Sequence, residues 1–236
     1  MIVRLGNSGH FCQEHGKASP AGSMYVIGLT GGIGSGKSTV AEMLEQKGAV
    51  LLSADAVGHE VYLSGRPAWQ EIVDAFGRQV VAEDGTIDRK RLGAIAFSDP
   101  QQLQRLNAIT HPRMKEMMRQ KLNEERARGT QVAVLEAALL FDAGWDDLTD
   151  EVWVTVAPPE VAAGRTAERS GLSVEEVLSR IRAQMSNEER IARSQVVIDT
   201  DCPLERTRKQ VDEEWERLME RLPARPGETP PARSGV

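Results

Sequence analysis

Residues 31–39 combine glycines, a lysine and hydroxyl side chains in a pattern that binds phosphate groups. Gly31, Gly36, Lys37 and Ser38 match G-x-x-x-x-G-K-[ST]. Glycines leave backbone N–H groups accessible to phosphate oxygens, and the first turn of a following helix adds unpaired donors. The lysine of this motif neutralises the β- and γ-phosphates, and the adjacent hydroxyl binds Mg²⁺. We therefore predict a nucleoside triphosphate site with Mg²⁺ at Ser38, whose contacts come from Gly31, Gly32, Ile33, Gly34, Ser35, Gly36, Lys37, Ser38 and Thr39.

Asp55 is the second candidate, because it follows an apolar run at residues 49–54. That run has the length and composition of a buried strand. Ligands of parallel sheets bind beyond the carboxyl ends of the strands, so Asp55 is expected on the same edge as the glycine loop. From the residues alone, a functional carboxylate and a helix N-cap remain equally open.

Arginines form the third candidate set. Arg165 and Arg169 are four residues apart and share one face of a predicted helix. Further arginines follow at positions 180, 182, 190 and 193, with glutamates between them. Composition leaves two interpretations open, a lid that binds phosphates or a solvated pair of helices with surface ion pairs.

The elements that must position these residues indicate an α/β fold. Apolar runs that alternate with helical patterns predict a five-stranded parallel sheet flanked by helices. The predicted strands are residues 25–30, 49–54, 132–136, 151–157 and 195–199. A helical insertion at about residues 56–128 is a candidate substrate subdomain, because it is too long for a plain crossover. Its predicted helices are residues 56–63, 68–76, 90–97 and 100–126, with Pro112 expected to kink or restart the last one.

Composition narrows the class of protein. The chain has 236 residues, a net charge of −6, 40% hydrophobic residues and two cysteines. The net negative charge argues against a nucleic-acid partner, and two cysteines make no disulfide framework, which favours the cytosol. The longest apolar stretch is too short to span a membrane. We expect a domain at residues 24–222, with Met24 as its effective start, between disordered segments at 1–23 and 223–236.

Together these residues resemble the dephospho-coenzyme A kinase family over about residues 24–218. The resemblance is carried by residues 29–39, the end of the second strand at Asp55, Leu106-Asn107, His111-Pro112, Leu139-Leu140-Phe141, Arg165, Arg169, the segment from Arg180 to Gln184, Arg190 and residues 197–199. It implies a P-loop NTPase fold with a helical coenzyme A subdomain and a mobile lid at about 160–190. It also implies transfer of the ATP γ-phosphoryl to the ribose 3′-hydroxyl of dephospho-coenzyme A, the last step of coenzyme A synthesis.

The resemblance also implies roles for individual residues. Asp55 would accept or orient the proton of the 3′-hydroxyl, with a magnesium contact through water left open. Arg165 and Arg169 would close over the triphosphate as catalytic and ATP-binding residues together with Lys37. His111 has two interpretations, a substrate contact or a structural residue before Pro112. The substrate-binding set implied by the resemblance is Asp55, His111, Leu139, Leu140 and Gln184.

The chain departs from the family pattern at several positions. Ser53 replaces an aspartate, Ala138 a proline, Asp142 a glutamate, Ser194-Gln195 an Ala-Asp pair and Thr200 an asparagine. Thr200 lies where the adenine of ATP would be held, so it bears on nucleotide preference. A nucleoside-monophosphate kinase or another small-molecule kinase on the same fold is the main alternative. A GTP-dependent switch is a second, although the sequence has no Asn-Lys-x-Asp element for guanine. Oligomeric state is left open.

Overall fold

The sheet is built from five parallel strands. In the computed structural model, residues 24–223 are described. The predictions of disorder for residues 1–23 and 224–236 lie outside this range. The strands are β1 Tyr25–Gly31, β2 Val50–Ser53, β3 Val132–Glu136, β4 Glu151–Val156 and β5 Val196–Asp199, and their order is β2-β3-β1-β4-β5. The predicted α/β fold with five strands is confirmed.

The register brings the carboxyl ends of the strands to one edge of the sheet. Leu29 of β1 and Ser53 of β2 are both level with Glu136, the last residue of β3. On the other side of β1, Gly31 is level with Thr155 of β4. All strands run in the same direction, so the segments that follow them emerge on the same side.

Helices cover both faces of the sheet because their apolar stripes pack against strands that are themselves apolar on both sides. One face carries α1 (Lys37–Gln46) and α9 (Leu204–Arg221), and the other carries α2 (Ala54–Glu60) and α5 (Pro100–Ala127). The predicted apolar face of α1 is buried, at Val40, Met43 and Leu44.

The insertion has a small core of its own. Its further helices are α3 (Pro67–Phe76) and α4 (Arg89–Ala96), with a 3₁₀ turn at Arg78–Val80. Ile72, Phe76 and Leu92 pack together against the first half of α5. The insertion therefore consists of helices, as predicted, around a cluster separate from the sheet.

Of the two effects predicted for Pro112, a kink or a restart of the helix, the structure excludes the restart. α5 is assigned as one helix of 28 residues with Pro112 inside it, so the helix does not restart there. Proline removes one N–H donor and crowds the preceding turn. Contacts of α5 with α2, α3 and α4 hold the helix on both sides of this position.

Three short helices lie between β4 and β5, in the segment predicted as a lid. They are α6 (Pro159–Ser170), α7 (Val174–Arg182) and α8 (Asn187–Ala192). Ser173 caps α7, as predicted, and Ser186 caps α8, each in a capping box with the glutamate three residues later. Within residues 24–223 no helix is both long and apolar enough to cross a membrane.

A buried carboxylate at the opposite edge of the sheet ties α9 to the strands. Glu151 is 6% exposed and accepts hydrogen bonds from Tyr25 Oη at 3.0 Å, Trp153 Nε1 at 2.8 Å and Arg221 Nη2 at 2.8 Å. Burial and the neighbouring Glu151 carboxylate raise the pKa of Tyr25, so its phenol stays protonated and remains a donor. The Glu151 carboxylate therefore accepts hydrogen bonds from residues of β1, β4 and α9.

Glu151→Gln is expected to lower the free energy of unfolding by about 2 kcal/mol, because a neutral amide cannot satisfy three donors, one of them charged. Urea denaturation measures this loss. Glu214→Gln is the matched control, since Glu214 lies on α9 and pairs with Arg217 at the surface. The control is expected to change stability by less than about 1 kcal/mol. Equal losses in the two variants would contradict a special role for Glu151.

Candidate active site

The glycine loop between β1 and α1 is held by direct contact with two other segments. Gly34 has φ +71°, and a Cβ there would lie 2.2 Å from the carbonyl oxygen of Ala162 in α6. Gly36 has φ +79°, and a Cβ there would lie 3.0 Å from Thr200 Cγ2. Glycine is therefore required at both positions by backbone angle and by close approach.

The hydroxyl groups of Thr155 and Thr200 both contact the loop at Ser35. Ser35 Oγ and Thr155 Oγ1 are 2.7 Å apart and buried. Thr200 Oγ1 lies 2.9 Å from the Ser35 carbonyl oxygen and 3.0 Å from that of Val156. Thr200 was expected to bear on nucleotide preference, and the structure shows that its hydroxyl contacts the loop backbone.

A cavity of about 510 Å³ opens over the loop. It is lined by residues 32–39 and by Arg165 and Arg169 of α6, so the structure brings together two candidate sets that are more than 120 residues apart. Arg165 Nη2 donates to the Thr200 carbonyl at 2.9 Å, which fixes its guanidinium beside the loop. Cys202, Leu204 and Thr207 also line the cavity and were missed at the level of sequence.

The loop lysine is paired with a carboxylate that sequence reasoning also missed. Lys37 Nζ lies 2.7 Å from Glu136 Oε1, and the two side chains are 15% and 13% exposed. Glu136 ends β3, the strand beside β1. An acidic residue that closes a buried apolar run next to the glycine-loop strand is the signal that could have identified it.

The oxygen ligands at the loop fit Mg²⁺ of a bound nucleotide. Ser38 is exposed in the first turn of α1, and the Glu136 carboxylate lies beside Lys37. Mg²⁺ in nucleotide sites takes one or two protein oxygens and completes its shell with phosphates and water. Residues 24–223 contain no cluster of three or more His, Cys, Asp or Glu side chains that could hold a metal ion.

Asp55 lies at the start of α2, on the edge of the sheet that carries the loop. It is exposed at the second position of the helix, and its carboxylate accepts no hydrogen bond within the described residues. The N-cap of α2 is Ser53, so the interpretation of Asp55 as an N-cap is wrong. The structure thus leaves the Asp55 carboxylate available at the rim.

His111, on α5, contacts the segment after β3. The His111 ring packs edge-on to Trp145, with centroids 6.3 Å apart. Burial lowers the pKa of His111 and the nearby Asp142 carboxylate partly opposes this, so the imidazole is neutral at pH 7. A neutral ring in contact with a tryptophan fits the structural interpretation, and its exposed edge leaves the substrate interpretation open.

The remaining candidate residues lie in different surroundings. Leu139 is 41% exposed, whereas Leu140 is fully buried and packs under Gly28 in the core. The Leu140 side chain has no exposed surface, and the assignment of Leu140 to substrate binding stays a prediction. Gln184 lies between α7 and α8, where its Oε1 accepts a hydrogen bond from Ile33 N–H at 3.2 Å. Its observed partner is the glycine loop.

Three features define a P-loop kinase: a glycine loop, its position after the central strand of a five-stranded parallel sheet, and a cavity over the loop that is lined by arginines. The family model for dephospho-CoA kinase matches residues 25–205. The chain belongs to this family.

Individual relatives support the same conclusion. A dephospho-CoA kinase from Moorella thermoacetica is 45% identical over 200 residues, which cover 84% of this chain and 94% of the relative. One from Geobacter sulfurreducens is 46% identical over 192 residues, which cover 81% and 98%. The crystal structure of TT1252 from Thermus thermophilus has a TM-score of 0.70 at 33% identity and covers 86% of this chain and 100% of its own. A dephospho-CoA kinase from Campylobacter jejuni has a TM-score of 0.64 at 24% identity over 83% and 97% of the chains, which supports the fold alone.

Proposed function

We propose that this protein transfers the γ-phosphoryl group of ATP to the ribose 3′-hydroxyl of dephospho-coenzyme A, which yields coenzyme A and ADP. The observation that carries the proposal is the contact of Lys37 with Glu136 at the end of β3. That contact marks where the transferable phosphoryl would lie, between the loop after β1 and the carboxylate after β2.

The position of Asp55 relative to the γ-phosphoryl group follows from the order and spacing of the strands. Lys37 of this motif reaches the β- and γ-phosphates, and its Nζ is at the end of β3. β3 lies between β1 and β2, and neighbouring strands are about 4.8 Å apart. Asp55, which follows β2, is therefore one strand beyond the γ-phosphoryl position. An acceptor hydroxyl fits between the phosphoryl group and this carboxylate.

Each charged residue then has a role in the transfer. Asp55 accepts or orients the proton of the 3′-hydroxyl as the oxygen attacks. Lys37 neutralises the β- and γ-phosphates, and Arg165 and Arg169 bind the triphosphate from the lid side of the cavity. Phosphoryl transfer depends on positioning and charge neutralisation, which is what these groups provide.

Ser38 and Glu136 would hold Mg²⁺, Glu136 through water, as P-loop enzymes do with a hydroxyl and a strand-end acid. The ion would supply charge neutralisation at the β- and γ-phosphates. Lys37 shares the Glu136 carboxylate, so the two cations would be balanced by one acid and by the phosphates.

The acceptor would be bound by the helical insertion at about residues 56–128 and by the segment after β3. Exposed Leu139 offers apolar contact, and His111 offers a neutral ring. The proposal also includes small-molecule partners, a cytosolic location and no nucleic-acid partner. A net charge of −6 and two cysteines are in keeping with these expectations.

A coupled ADP-release assay tests this assignment against its rivals. Dephospho-coenzyme A is expected to give turnover at least about 10²-fold above background hydrolysis. Nucleoside monophosphates and shikimate-type acceptors form the comparison panel. Turnover with one of those acceptors and none with dephospho-coenzyme A would identify another small-molecule kinase. Tight GTP binding without transfer would identify a switch protein.

Arg169→Ala is expected to raise the KM for ATP about tenfold and to increase the ratio of ATP hydrolysis to transfer, because the arginine closes the cavity over the triphosphate. Parallel measurement of ADP release and product formation checks both effects. Arg217→Ala is the matched control, since Arg217 is an exposed arginine on α9 that pairs with Glu214. Unchanged ATP kinetics in Arg169→Ala would count against the contact.

A further inference from the structure

Arg190, on α8, is a buried arginine with incomplete hydrogen bonding. The residue is 3% exposed, and its Nη1 donates to the Met185 carbonyl oxygen. Nη2 is buried and has no hydrogen-bond partner within residues 24–223. Leaving charged donors buried and unbonded is costly, and buried polar groups normally have partners. A missing partner with acceptor oxygens would account for this arrangement.

The guanidinium lies against the start of the glycine loop. A Cβ on Gly32 would be 3.3 Å from Arg190 Nη1 and 3.7 Å from Gln184 Oε1. Gln184 in turn binds Ile33 N–H. These residues line a second cavity of about 360 Å³ between the loop and the lid helices α6, α7 and α8. Arg190 therefore faces the loop from a different side than Arg165 and Arg169, which line the first cavity.

Two observations support a position of this guanidinium near the γ-phosphoryl end of the nucleotide. The helix-proximal half of such a loop binds the α- and β-phosphates, so Gly32 and Ile33 at its start lie toward the γ end. Asp142, in the segment after β3, acts electrostatically on Arg190, and β3 ends at the Glu136 that binds Lys37. Arg190 thus lies beside Gly32, the residue that follows β1.

The charges around Arg190 are insufficient to neutralise it by direct contact. Burial lowers the pKa of Arg190, and the carboxylates of Asp142 and Glu189 oppose this effect. Arginine remains charged at neutral pH, yet neither carboxylate is a hydrogen-bond partner of Arg190 within the described residues. A group with negatively charged oxygens would supply the balance.

We propose that Arg190 is a catalytic arginine whose Nη2 binds the phosphoryl group during its transfer. This inference rests on the proposed function. In the step, the bond from the 3′-oxygen to phosphorus forms while the β,γ-bridging bond breaks, and its electron pair goes to the β-phosphate of ADP. The proton of the 3′-hydroxyl passes to Asp55 or to solvent. Arg190 neutralises charge on the equatorial oxygens, where such a contact is most effective.

Arg190→Ala is expected to lower kcat by about 10²-fold or more while the KM values for ATP and acceptor change less than about threefold. Guanidinium chloride at millimolar concentration is expected to restore part of kcat in this variant. Arg190→Lys keeps the positive charge but replaces the planar guanidinium with a single ammonium group. This variant is expected to have a kcat about tenfold or more below that of the wild type. Arg217→Ala on α9, at an exposed arginine that pairs with Glu214, is the control, with kcat unchanged and no response to guanidinium.

Binding of ADP with aluminium fluoride, a mimic of the transferring phosphoryl group, provides a readout separate from turnover. The wild type is expected to bind ADP more tightly when aluminium fluoride is present, and Arg190→Ala is expected to bind ADP alone normally but to lose this gain. If circular dichroism shows that Arg190→Ala does not fold, ADP binding with and without aluminium fluoride is compared in Arg190→Lys instead. A kcat within threefold of wild type, or parallel loss of ADP binding without guanidinium rescue, would overturn the proposal. Lack of wild-type activity on dephospho-coenzyme A would refute the proposed function, and the fluoride measurement would still decide the role of Arg190.

Discussion

Lys37→Ala is expected to lower kcat/KM for ATP by about 10³-fold or more and to weaken nucleotide binding at the same time. Lys37 uses one of its three N–H donors on Glu136, and the other two remain for phosphate oxygens. Its side chain is 15% exposed, so water screens the interaction only in part. Removal of the ammonium therefore affects the ground state and the transition state together. Isothermal titration with a non-hydrolysable ATP analogue and steady-state kinetics measure the two losses.

The Glu136 carboxylate makes this prediction more specific. In Lys37→Ala a mostly buried carboxylate loses its cation, so stability falls as well. The double variant Lys37→Ala/Glu136→Gln is expected to recover stability but no activity, which separates the two effects. Lys47→Ala is the matched control, because Lys47 follows the other end of α1 and pairs with Asp212 away from the cavity. Turnover of Lys37→Ala close to that of the control would contradict the assignment of the phosphate site.

The parts of the fold that sequence predicted are those with local causes. Each strand is a short apolar run, and the bounds of β3, Val132–Glu136, agree with the predicted residues. The glycine loop is recognisable because its motif lies within nine residues between a strand and a helix. Ser173 could be identified as a helix start since its capping partner, Glu176, is three residues away.

The parts that sequence missed depend on contacts between distant residues. Lys37 and Glu136 are 99 residues apart, and no periodicity connects them. Thr200 and the Ser35 carbonyl are 165 residues apart, so the support that Thr200 gives the loop could not be inferred from composition. Leu139 and Leu140 look equivalent as neighbours, yet one faces outward and the other packs under Gly28. Such differences are determined by strand order and packing, which pattern alone does not specify.

Among the arginines, some could be identified from sequence and one could be identified only from the structure. Sequence identifies Arg165 and Arg169 through their spacing on one helix face, and both line the first cavity. Arg190 lies among glutamates in a pattern typical of a solvated helix. Its burial follows from the packing of α8 against β4 and the loop, so only the structure distinguishes it from its exposed neighbours.

Asp55→Asn is expected to lower kcat by about 10²- to 10⁴-fold while the KM values for ATP and dephospho-coenzyme A stay within about threefold. The amide keeps the size and polarity of the side chain but can neither accept a proton nor carry its charge. Asp55 is exposed and contacts no described donor, so substitution breaks no interaction of the folded chain. Its position in the first turn of α2 contributes at most about 1 kcal/mol through the helix dipole. A loss of kcat without a comparable loss of stability is therefore the expected pattern, measured by single-turnover kinetics and urea denaturation.

Glu205→Gln provides the control that distinguishes catalysis from the helix-dipole contribution. Glu205 is exposed and occupies the second position of α9, as Asp55 does in α2. Both substitutions remove a carboxylate from a helix amino end, so their effects on unfolding should match within about 0.5 kcal/mol. Only Asp55→Asn should affect turnover, because Asp55 follows β2, the strand next to β3, which ends at Glu136. Wild-type turnover in Asp55→Asn would show that a different group, or solvent alone, receives the proton of the 3′-hydroxyl.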